Sequence, residues 1–443
     1  MVQAAYSFPK GFLWGTATSS HQVEGQNTNN DWYTWEQEGR IIHNQKSGNA
    51  CGWWNGRWEE DLDRAAEAGQ NAHRFSIEWS RVQPDPDTWN EDALLRYREI
   101  AQGMADRGMT PVATLHHFTN PRWLAEMGGW KNEQVVPLFG SYVERVVAAL
   151  GDYVTLWCTI NEPNVYAVMA YLEGVFPPGE QDLGTTFRVI ANLFKAHARA
   201  YHLIHRQQYE ARVGMVIHYR DLVPARPWFP PDRINAWLSS RLFNDLFPRA
   251  AKVGKIRLPW KTISVAGAKG TQDFLGLNYY TQELVASSLR AADHPLAKRS
   301  LPPHAPASET GFIAHTPGAF ARALEWALQF NVPLIVTENG IEDSTDSLRP
   351  RYLAEHIHQV WRGINHNWPI KGYFHWTLVD NFEWERGWTQ RFGLWALNRE
   401  TQERQKRDSA EFYAEICRQN ALSSQMVKNY APESMEVLFP EGR

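Results

Sequence analysis

Ten residues near the middle of the chain decide the fold: Val154-Thr155-Leu156-Trp157-Cys158-Thr159-Ile160, followed by Asn161-Glu162-Pro163. The first seven form a short apolar run rich in residues that favour β-structure, which is typical of a buried strand. A polar cluster follows at once, and proline interrupts strand pairing. The stretch therefore predicts a strand that presents Asn161 and Glu162 at the edge of a sheet.

The same pattern of an apolar run followed by a polar or aromatic cluster occurs eight times. The runs are 12–16, 73–78, 111–116, 154–160, 213–218, 274–278, 333–337 and 372–378. Helical patterns separate several of them, and alternation of strand and helix favours parallel pairing with crossover helices. Eight such units predict an α/β fold, a single (β/α)8 TIM barrel that forms one catalytic domain over residues 1–443.

Helix signals and chain length refine this prediction. Asn90 is placed to cap a helix whose apolar residues recur at helical spacing, and further helices are predicted over 59–68 and 352–364. A minimal barrel needs about 250 residues, so long loops must hold the excess. The longest insertions are expected at 26–55, 224–260 and 287–317. The segment after Ala421 has few packing signals, and we expect a loosely held tail there.

The alternative α/β architecture is a doubly wound open sheet, which usually carries a glycine-rich phosphate turn after its first strand. Here the first run is followed by Ala17-Thr18-Ser19-Ser20, with no GxGxxG motif. The GxxxxGK[ST] motif is missing from the sequence as well. Nucleotide phosphate binding and the open sheet are therefore unsupported.

Composition excludes several classes of function. The 443 residues include 45 Lys or Arg and 49 Asp or Glu, and this balance argues against a dominant nucleic-acid or anionic-membrane surface. No apolar run reaches the ~18 residues of a membrane helix, and the first ten residues lack the features of a secretory signal. The three cysteines are widely spaced, which is typical of reduced thiols in a cytosolic protein. We expect a cytoplasmic protein with no nucleic-acid or membrane partner.

Two acidic residues occupy equivalent places at strand ends. Glu162 follows the run 154–160, Glu338 follows the run 333–337, and each lies beside an asparagine. In a barrel the carboxyl ends of the strands carry the chemistry, so both carboxylates should reach the same rim. Either acid alone could be a solvated rim residue. Together they suggest hydrolysis through an oxocarbenium-like transition state, in which one acid is protonated and the other ionised.

Further polar and aromatic residues near strand ends suit a sugar. They are Gln22, His117, Asn278, Tyr280, Trp376, Glu383 and Trp384. Amide, imidazole and carboxyl groups can bond hydroxyls, and tryptophan offers a flat face to a pyranose ring. His116 and His117 point to opposite sides of a strand, so at most one should face a ligand. Arg74 could keep one acid ionised or could form a structural ion pair.

Metal catalysis is the rival chemistry in barrels. The chain has 16 histidines, but it has no HxH at a strand end and no HExxH motif. We therefore expect no metal site and no cofactor.

Six motifs, in order along the chain, resemble those of glycoside hydrolase family 1, the β-glucosidase group. They lie at 11–25, 73–81, 159–163, 275–280, 336–340 and 376–384, where the last reads Trp-Thr-Leu-Val-Asp-Asn-Phe-Glu-Trp. The resemblance covers nearly the whole chain and implies a retaining β-glycosidase without cofactor or metal. Its implied substrates are β-linked glucosides or oligosaccharides; the oligomeric state stays open.

The resemblance also implies roles for individual residues. Glu162 resembles the general acid/base and Glu338 the nucleophile. Arg74 and Tyr280 would orient and ionise Glu338, and Asn161 would bond the sugar's 2-hydroxyl. The remaining positions resemble glycone hydroxyl binders (Gln22, His117, Glu383 and Trp384), a stacking platform (Trp376) and a supporting polar residue (Asn278).

Two alternatives remain. Relatives that act on 6-phosphorylated sugars replace the Glu383-Trp384 pair, and here Glu383 would repel a phosphate. Non-catalytic sugar-binding descendants of the family lose one of the two acids, and this chain retains both. The family usually has Tyr or Phe where His21 stands, and segment 311–315 lacks the tryptophan often found on the aglycone side.

Overall fold

The computed structural model describes residues 4–258, 261–288 and 297–440. Within them, eight parallel strands form the barrel. They are β1 (Leu13–Ala17), β2 (Ala72–Ser76), β3 (Thr110–Thr114), β4 (Leu156–Asn161), β5 (Arg212–Pro224), β6 (Phe274–Ser287), β7 (Leu334–Asn339) and β8 (Ile370–Trp376). Each strand pairs with the next along the chain, and β8 pairs with β1, which closes the ring. The predicted (β/α)8 TIM barrel is confirmed.

Strands β5 and β6 are much longer than their apolar runs indicated. After a register shift at Tyr219/Asp221 they continue as a paired ribbon to Pro224 and Val285, and Ala297–Ser300 adds antiparallel to β6. The other six strands lie within two residues of their predicted bounds. The ribbon extends beyond the barrel and carries polar residues, so the apolar signal ended at the barrel rim.

The helices lie mainly between the strands. They are Ser20–Val23, Asp31–Gln37, Trp58–Glu67, Trp79–Val82, Glu91–Asp106, Arg122–Glu126, Val135–Leu150, Pro163–Tyr171, Leu183–Gln207, Pro230–Phe243, Leu246–Val253, Pro317–Ala327, Arg349–Asn365, Asp408–Gln419, Ser424–Tyr430 and Met435–Leu438. Asn90 caps Glu91–Asp106 by accepting a hydrogen bond from the Ala93 amide at 3.1 Å, as its position predicted. No helix in the described ranges is both long and apolar enough to cross a membrane.

The predicted insertions carry short elements. Segment 26–55 holds Asp31–Gln37 with the 3-10 turns Ile42–Asn44 and Trp53–Asn55, and segment 224–260 holds two helices and the strand Lys255–Arg257. Residues 259–260 and 289–296, within two of the insertions, lie outside the described residues. The other short elements are the strands Thr262–Ser264, Trp395–Leu397 and Arg404–Lys406 and the 3-10 turns Gly129–Lys131, Leu328–Phe330, Trp384–Arg386 and Pro432–Ser434.

The expectation of a loosely held tail is wrong. Ala421–Ser423 pairs antiparallel with Ala5–Ser7, and the side chains of Leu422, Val427 and Leu438 are buried. The elements from Ala421 onward are three to seven residues long, and each buries at most two large side chains. Such short elements show no hydrophobic periodicity, so the sequence pattern gave no sign of this packing.

The barrel interior changes from apolar to polar along its axis. A buried cluster includes Ala72, Val112 and Cys158 from three neighbouring strands. Two residues further along β2 and β3, and therefore on the same face, Arg74 Nε donates to Thr114 Oγ1 at 3.0 Å. The polar layer that begins here carries the functional site at the carboxyl ends of the strands.

Candidate active site

Glu162 and Glu338 line one cavity at the carboxyl ends of the barrel strands. Glu338 lies within β7, and Glu162 directly follows β4, where it precedes the helix that Pro163 begins. Glu162 has a φ of 44°, a left-handed conformation that non-glycine residues rarely adopt and that clusters at functional sites. The two acids that the sequence placed at one rim do converge.

Gly340 lets the chain leave β7 close to β8. A Cβ atom at this position would lie 2.2 Å from the Trp376 carbonyl oxygen, so any larger residue would push the two strands apart. Glycine is therefore needed two residues after Glu338, where the backbones approach most closely.

Glu338 is held through both carboxylate oxygens. Arg74 donates from Nη1 to Oε1 at 2.5 Å, and the Tyr280 hydroxyl donates to Oε2 at 2.6 Å. Arg74 also donates from Nη2 to Asn161 Oδ1 at 2.7 Å. Because Arg74 is fully buried and always cationic, it is a permanent counter-charge for Glu338.

Glu162 is held through one oxygen only. Asn278 donates from Nδ2 to Glu162 Oε1 at 2.8 Å, and His218 Nδ1 lies 2.9 Å from the same atom. The oxygen of the Asn278 amide is also held, because Oδ1 accepts a hydrogen bond from Thr337 Oγ1 at 2.7 Å. Within the described residues Oε2 has no hydrogen bond, so it is the oxygen left for a ligand.

The two acids have different electrostatic surroundings. Burial raises the pKa of Glu338; the Arg74 guanidinium pulls it back, and the Glu162 carboxylate raises it further. Burial alone would also raise the pKa of Glu162, but the contact with His218 and the hydrogen bond from Asn278 lower it below its ordinary value. Two carboxyl groups that are buried in one cavity do not readily ionise at the same time, because their negative charges would repel each other. Arg74, which bonds Glu338, supplies the permanent positive charge beside them.

His117 presents an unpaired ring nitrogen to the site. Burial and the nearby Arg74 hold its pKa well below the ordinary value, so the imidazole is neutral. Its Nε2 lies 3.1 Å from Asn161 Nδ2 and accepts, which places the proton on Nδ1. That buried Nδ1 has no partner in the described residues. His116 bonds Asn120 instead and does not line the cavity. Of these two neighbouring histidines, therefore, only His117 faces the cavity, in agreement with the prediction that at most one would.

The aromatic wall of the cavity comes from β8 and the loop behind it. Trp376 donates from Nε1 to Glu383 Oε1 at 3.0 Å, and the His117 ring stacks against both Trp376 and Trp384. Burial raises the pKa of Glu383 well above its ordinary value. Flat rings and a buried carboxyl therefore lie together on one side of the cavity.

Most of the predicted site residues converge. Those that line the cavity are His117, Asn161, Glu162, Tyr280, Glu338, Trp376, Glu383 and Trp384. Arg74 and Asn278 are buried behind them and bond the two acids. Gln22 is buried but does not line the cavity, because its amide donates to the Phe382 carbonyl at 2.7 Å and accepts from Ser19.

Sequence reasoning missed several residues of the cavity wall, among them three from β5 and the insertion 287–317. His218 and Arg220 come from β5, and Phe312 lies in that insertion, before the helix Pro317–Ala327. His218 is the last residue of the predicted run 213–218, so the rule that strand ends carry the chemistry could have found it. Arg220 belongs to the ribbon beyond the barrel, which the apolar pattern did not indicate. No group of three or more potential metal ligands occurs within the described residues.

Comparison with known proteins agrees with this geometry. The family model for glycosyl hydrolase family 1 matches residues 4–422. Beta-glucosidase A of Thermotoga maritima is 32% identical, covering 94% of this chain and 98% of that protein. A beta-galactosidase of Pyrococcus woesei is 30% identical, covering 95% of this chain and 98% of that protein.

Solved structures show the same similarity. The beta-glycosidase from Pyrococcus horikoshii matches with a TM-score of 0.90 and 37% identity, covering 96% of this chain and 98% of that one. The Thermotoga maritima beta-glucosidase in complex with glucoimidazole matches with a TM-score of 0.87 and 30% identity, covering 94% of this chain and 100% of that one. Over nearly its whole length, the chain therefore belongs to glycosyl hydrolase family 1 and is a β-glycosidase of that family.

Proposed function

We propose that this protein is a retaining, exo-acting β-glucosidase, which removes terminal non-reducing β-D-glucosyl residues by double displacement. The observation that carries the proposal is the unequal bonding of the two acids. Glu338 has a permanent cation on one oxygen, whereas Glu162 has one oxygen fixed and the other free. A nucleophile needs the first arrangement and an acid/base the second.

In the first step the Glu338 carboxylate attacks the anomeric carbon. The bond from that carbon to the glycosidic oxygen breaks, and Glu162 gives its proton to the departing oxygen. In the second step Glu162 takes a proton from water, the water oxygen bonds to the anomeric carbon, and the ester to Glu338 breaks. The released sugar has its original anomeric configuration, and both carboxyl groups return to their starting states.

His218 helps to position Glu162 for the first step. Its Nδ1 lies 2.9 Å from Oε1, so Oε2 is the oxygen that is free to carry the proton to the leaving group. Arg74 favours the ionised form of Glu338. Asn278 fixes the plane of the Glu162 carboxyl group, so the free oxygen stays aimed at one place.

The remaining cavity residues suit a glucosyl group. The unpaired Nδ1–H of His117 can donate to a sugar hydroxyl, and Asn161 next to it can bond the 2-hydroxyl. Glu383 is placed to bind hydroxyls beside the Trp376 and Trp384 rings, with Trp376 as the stacking platform. Gln22 would have to exchange its bond to the Phe382 carbonyl to bind a hydroxyl, so its role stays a prediction.

We further propose that β-galactosides and β-fucosides are accepted and that transglycosylation accompanies hydrolysis, because a sugar hydroxyl can replace water in the second step. The relatives with beta-glucosidase and beta-galactosidase names support a broad glycone range. Relatives that act on 6-phosphorylated sugars replace the Glu383-Trp384 pair, and both residues line the cavity here, which argues against such substrates. We place this activity in one domain over residues 1–443 and in the cytoplasm, where three buried unpaired cysteines remain reduced.

The test is a kinetic panel of chromogenic β-glucoside, β-galactoside, β-fucoside and 6-phospho-β-glucoside. We expect the highest kcat/KM on the β-glucoside or β-fucoside and the lowest on the phosphorylated sugar. The highest kcat/KM on the 6-phospho-β-glucoside would favour the phosphoglucosidase alternative. Tight binding of every glycoside without turnover would favour the non-catalytic sugar-binding barrel.

A further inference from the structure

The insertion at 224–260 has an exposed apolar surface that the proposed activity does not use. Its helix Pro230–Phe243 exposes Ile234, Trp237 and Leu238, which are spaced three and four residues apart and so form one stripe. The two most exposed of these side chains, Ile234 and Trp237, have exposed fractions of 61% and 60%. The opposite face of the same helix is already packed, because Ala236 and Phe243 are buried.

Further exposed apolar side chains lie on the neighbouring segments. Trp228 before the helix is 77% exposed, and Val253 in the next helix is 40% exposed. Trp237 forms the shared wall of two adjacent depressions, one lined by Ile234 and the other by Leu238 and Val253. We call these five side chains (Trp228, Ile234, Trp237, Leu238 and Val253) the apolar stripe. A group of exposed apolar side chains of this kind usually marks a binding surface.

Positive charge surrounds the apolar stripe. Residues 224–258 contain seven Lys or Arg but only two Asp or Glu, although the whole chain carries a net charge of −4. Both acids are buried and neutralised, Asp232 by Arg226 and Asp245 by Arg241 and Arg249. The exposed cations around the apolar stripe include Arg233, Lys255 and Arg257, and none of these three forms an ion pair within the part of the chain that the structure describes.

We propose that the apolar stripe and its cationic rim bind the surface of an anionic lipid bilayer. Tryptophan prefers the boundary between headgroups and acyl chains, and Lys and Arg beside it attract anionic headgroups. The Arg241 guanidinium already lies 5.6 Å above the Trp237 ring, so charge and ring are presented together. The protein would lie on the membrane and not span it.

The same charge argument disfavours a second copy of the chain as the occupant. A two-fold contact would place identical apolar stripes together and bring each cationic rim against the other. An anionic bilayer has no such conflict. The helix Pro230–Phe243 follows β5, so the surface lies at the end of the barrel that carries the cavity; Phe243 packs edge-on to His218. This inference is independent of the proposed substrate and departs from the expectation drawn from whole-chain charge.

The experiment is flotation of the full chain with vesicles of phosphatidylcholine, with and without phosphatidylglycerol. We expect binding only to the anionic vesicles and loss of binding at high salt. Ile234→Ser/Trp237→Ser and, separately, Arg233→Glu/Arg257→Glu should each reduce binding at least about tenfold. The matched controls are Leu95→Ser/Tyr209→Ser and Lys371→Glu/Lys428→Glu, which change exposed residues elsewhere and should bind like the wild type.

All variants should hydrolyse a chromogenic substrate like the wild type, which shows that they are folded and separates this test from the proposed function. Three results would overturn the proposal. One is no binding to either vesicle. Another is equal binding to both. The third is concentration-dependent self-association that the Ile234→Ser/Trp237→Ser variant abolishes, because a second copy would then be the occupant.

Discussion

His218 Nδ1 lies 2.9 Å from Glu162 Oε1, and it is the titratable ring nearest to the proposed acid/base. Asn278 bonds the same oxygen at 2.8 Å, so the two donors together fix the carboxyl group. The Tyr280 ring stacks on the His218 imidazole, and Arg220 of β5 lines the same cavity. His218 and Asn278 both lower the pKa of Glu162, against the effect of burial.

We predict that His218→Asn keeps most of the activity but moves the basic limb of kcat/KM to higher pH. His218 lowers the pKa of Glu162 by charge and by hydrogen bonding, and the asparagine amide can replace only the hydrogen bond, so the pKa of Glu162 should rise. A pH–rate profile on cellobiose, whose leaving group needs the proton from Glu162, measures the shift. An unchanged basic limb in His218→Asn would contradict a role of His218 in setting the pKa of Glu162.

His218→Leu removes the donor as well. Loss of a hydrogen bond to a charged group should then lower kcat/KM roughly tenfold to hundredfold at the optimum. If the asparagine and leucine variants lose the same activity, the contact is a packing contact only. Because both replacements are smaller than histidine, the comparison separates the loss of the hydrogen bond to Glu162 from the loss of side-chain volume.

Glu338→Ala should lower kcat by about a thousandfold or more, because it removes the group that forms the covalent intermediate. Steady-state hydrolysis of a chromogenic β-glucoside is the measurement. Glu385→Gln is the matched control: Glu385 lines the same cavity but bonds Arg386 at 3.3 Å, so a change in KM with little loss of kcat is expected. Undiminished turnover by Glu338→Ala would refute the nucleophile assignment.

Glu162→Ala should discriminate between leaving groups. An alkyl or sugar leaving group needs the proton from Glu162, whereas an activated phenol leaves without it. The variant should therefore lose far more kcat/KM on cellobiose than on a nitrophenyl glucoside. Both substrates should be measured with the same enzyme preparation, so that the fraction of active enzyme does not affect the comparison. Equal losses on the two substrates would count against the acid role.

Glu355 provides a test of stability against pH. Burial alone would raise its pKa, but His315 and Arg351 outweigh burial and lower the pKa to about 2. Because the folded value lies below the unfolded one, its stabilising contribution is present above pH ~4.5 and is lost as the pH falls towards 2. Glu355 also accepts from Ser434 at 2.9 Å, so it connects the carboxyl-terminal segment to the helix Arg349–Asn365.

We predict that Glu355→Gln lowers the free energy of unfolding at neutral pH and flattens its decline between pH 4.5 and 2. Denaturant unfolding at a series of pH values measures this. Glu436→Gln, at an exposed position in the same carboxyl-terminal segment, should follow the wild-type curve. A wild-type pH dependence in Glu355→Gln would show that the pair with His315 contributes nothing.

The barrel could be predicted because each strand is buried on both faces and so forms a continuous apolar run. Run 333–337, for example, lies almost wholly within β7. The same signal failed where strands leave the barrel: β5 and β6 continue past residues 218 and 278 as a ribbon with polar side chains. It failed again after Ala421, where each short element buries too few residues to show a period.

The site could be predicted from one topological rule, since carboxyl ends of parallel strands meet at one rim. This rule placed Glu162 and Glu338 together without any knowledge of side-chain contacts. The rule could not show that the Gln22 side chain donates to a backbone carbonyl, because that carbonyl belongs to Phe382, which lies far from Gln22 along the chain. Nor could it show the local positive charge of residues 224–258, which the whole-chain balance conceals.

The central claim is that Glu162 and Glu338 face each other across one cavity, about 5 Å apart, and act by double displacement. Proton NMR during the first turnovers of an aryl β-glucoside tests it most directly, before the released sugar changes its anomeric form. We predict that the β-anomer of glucose accumulates first and the α-anomer appears later, only by mutarotation. Initial release of the α-anomer would contradict the account.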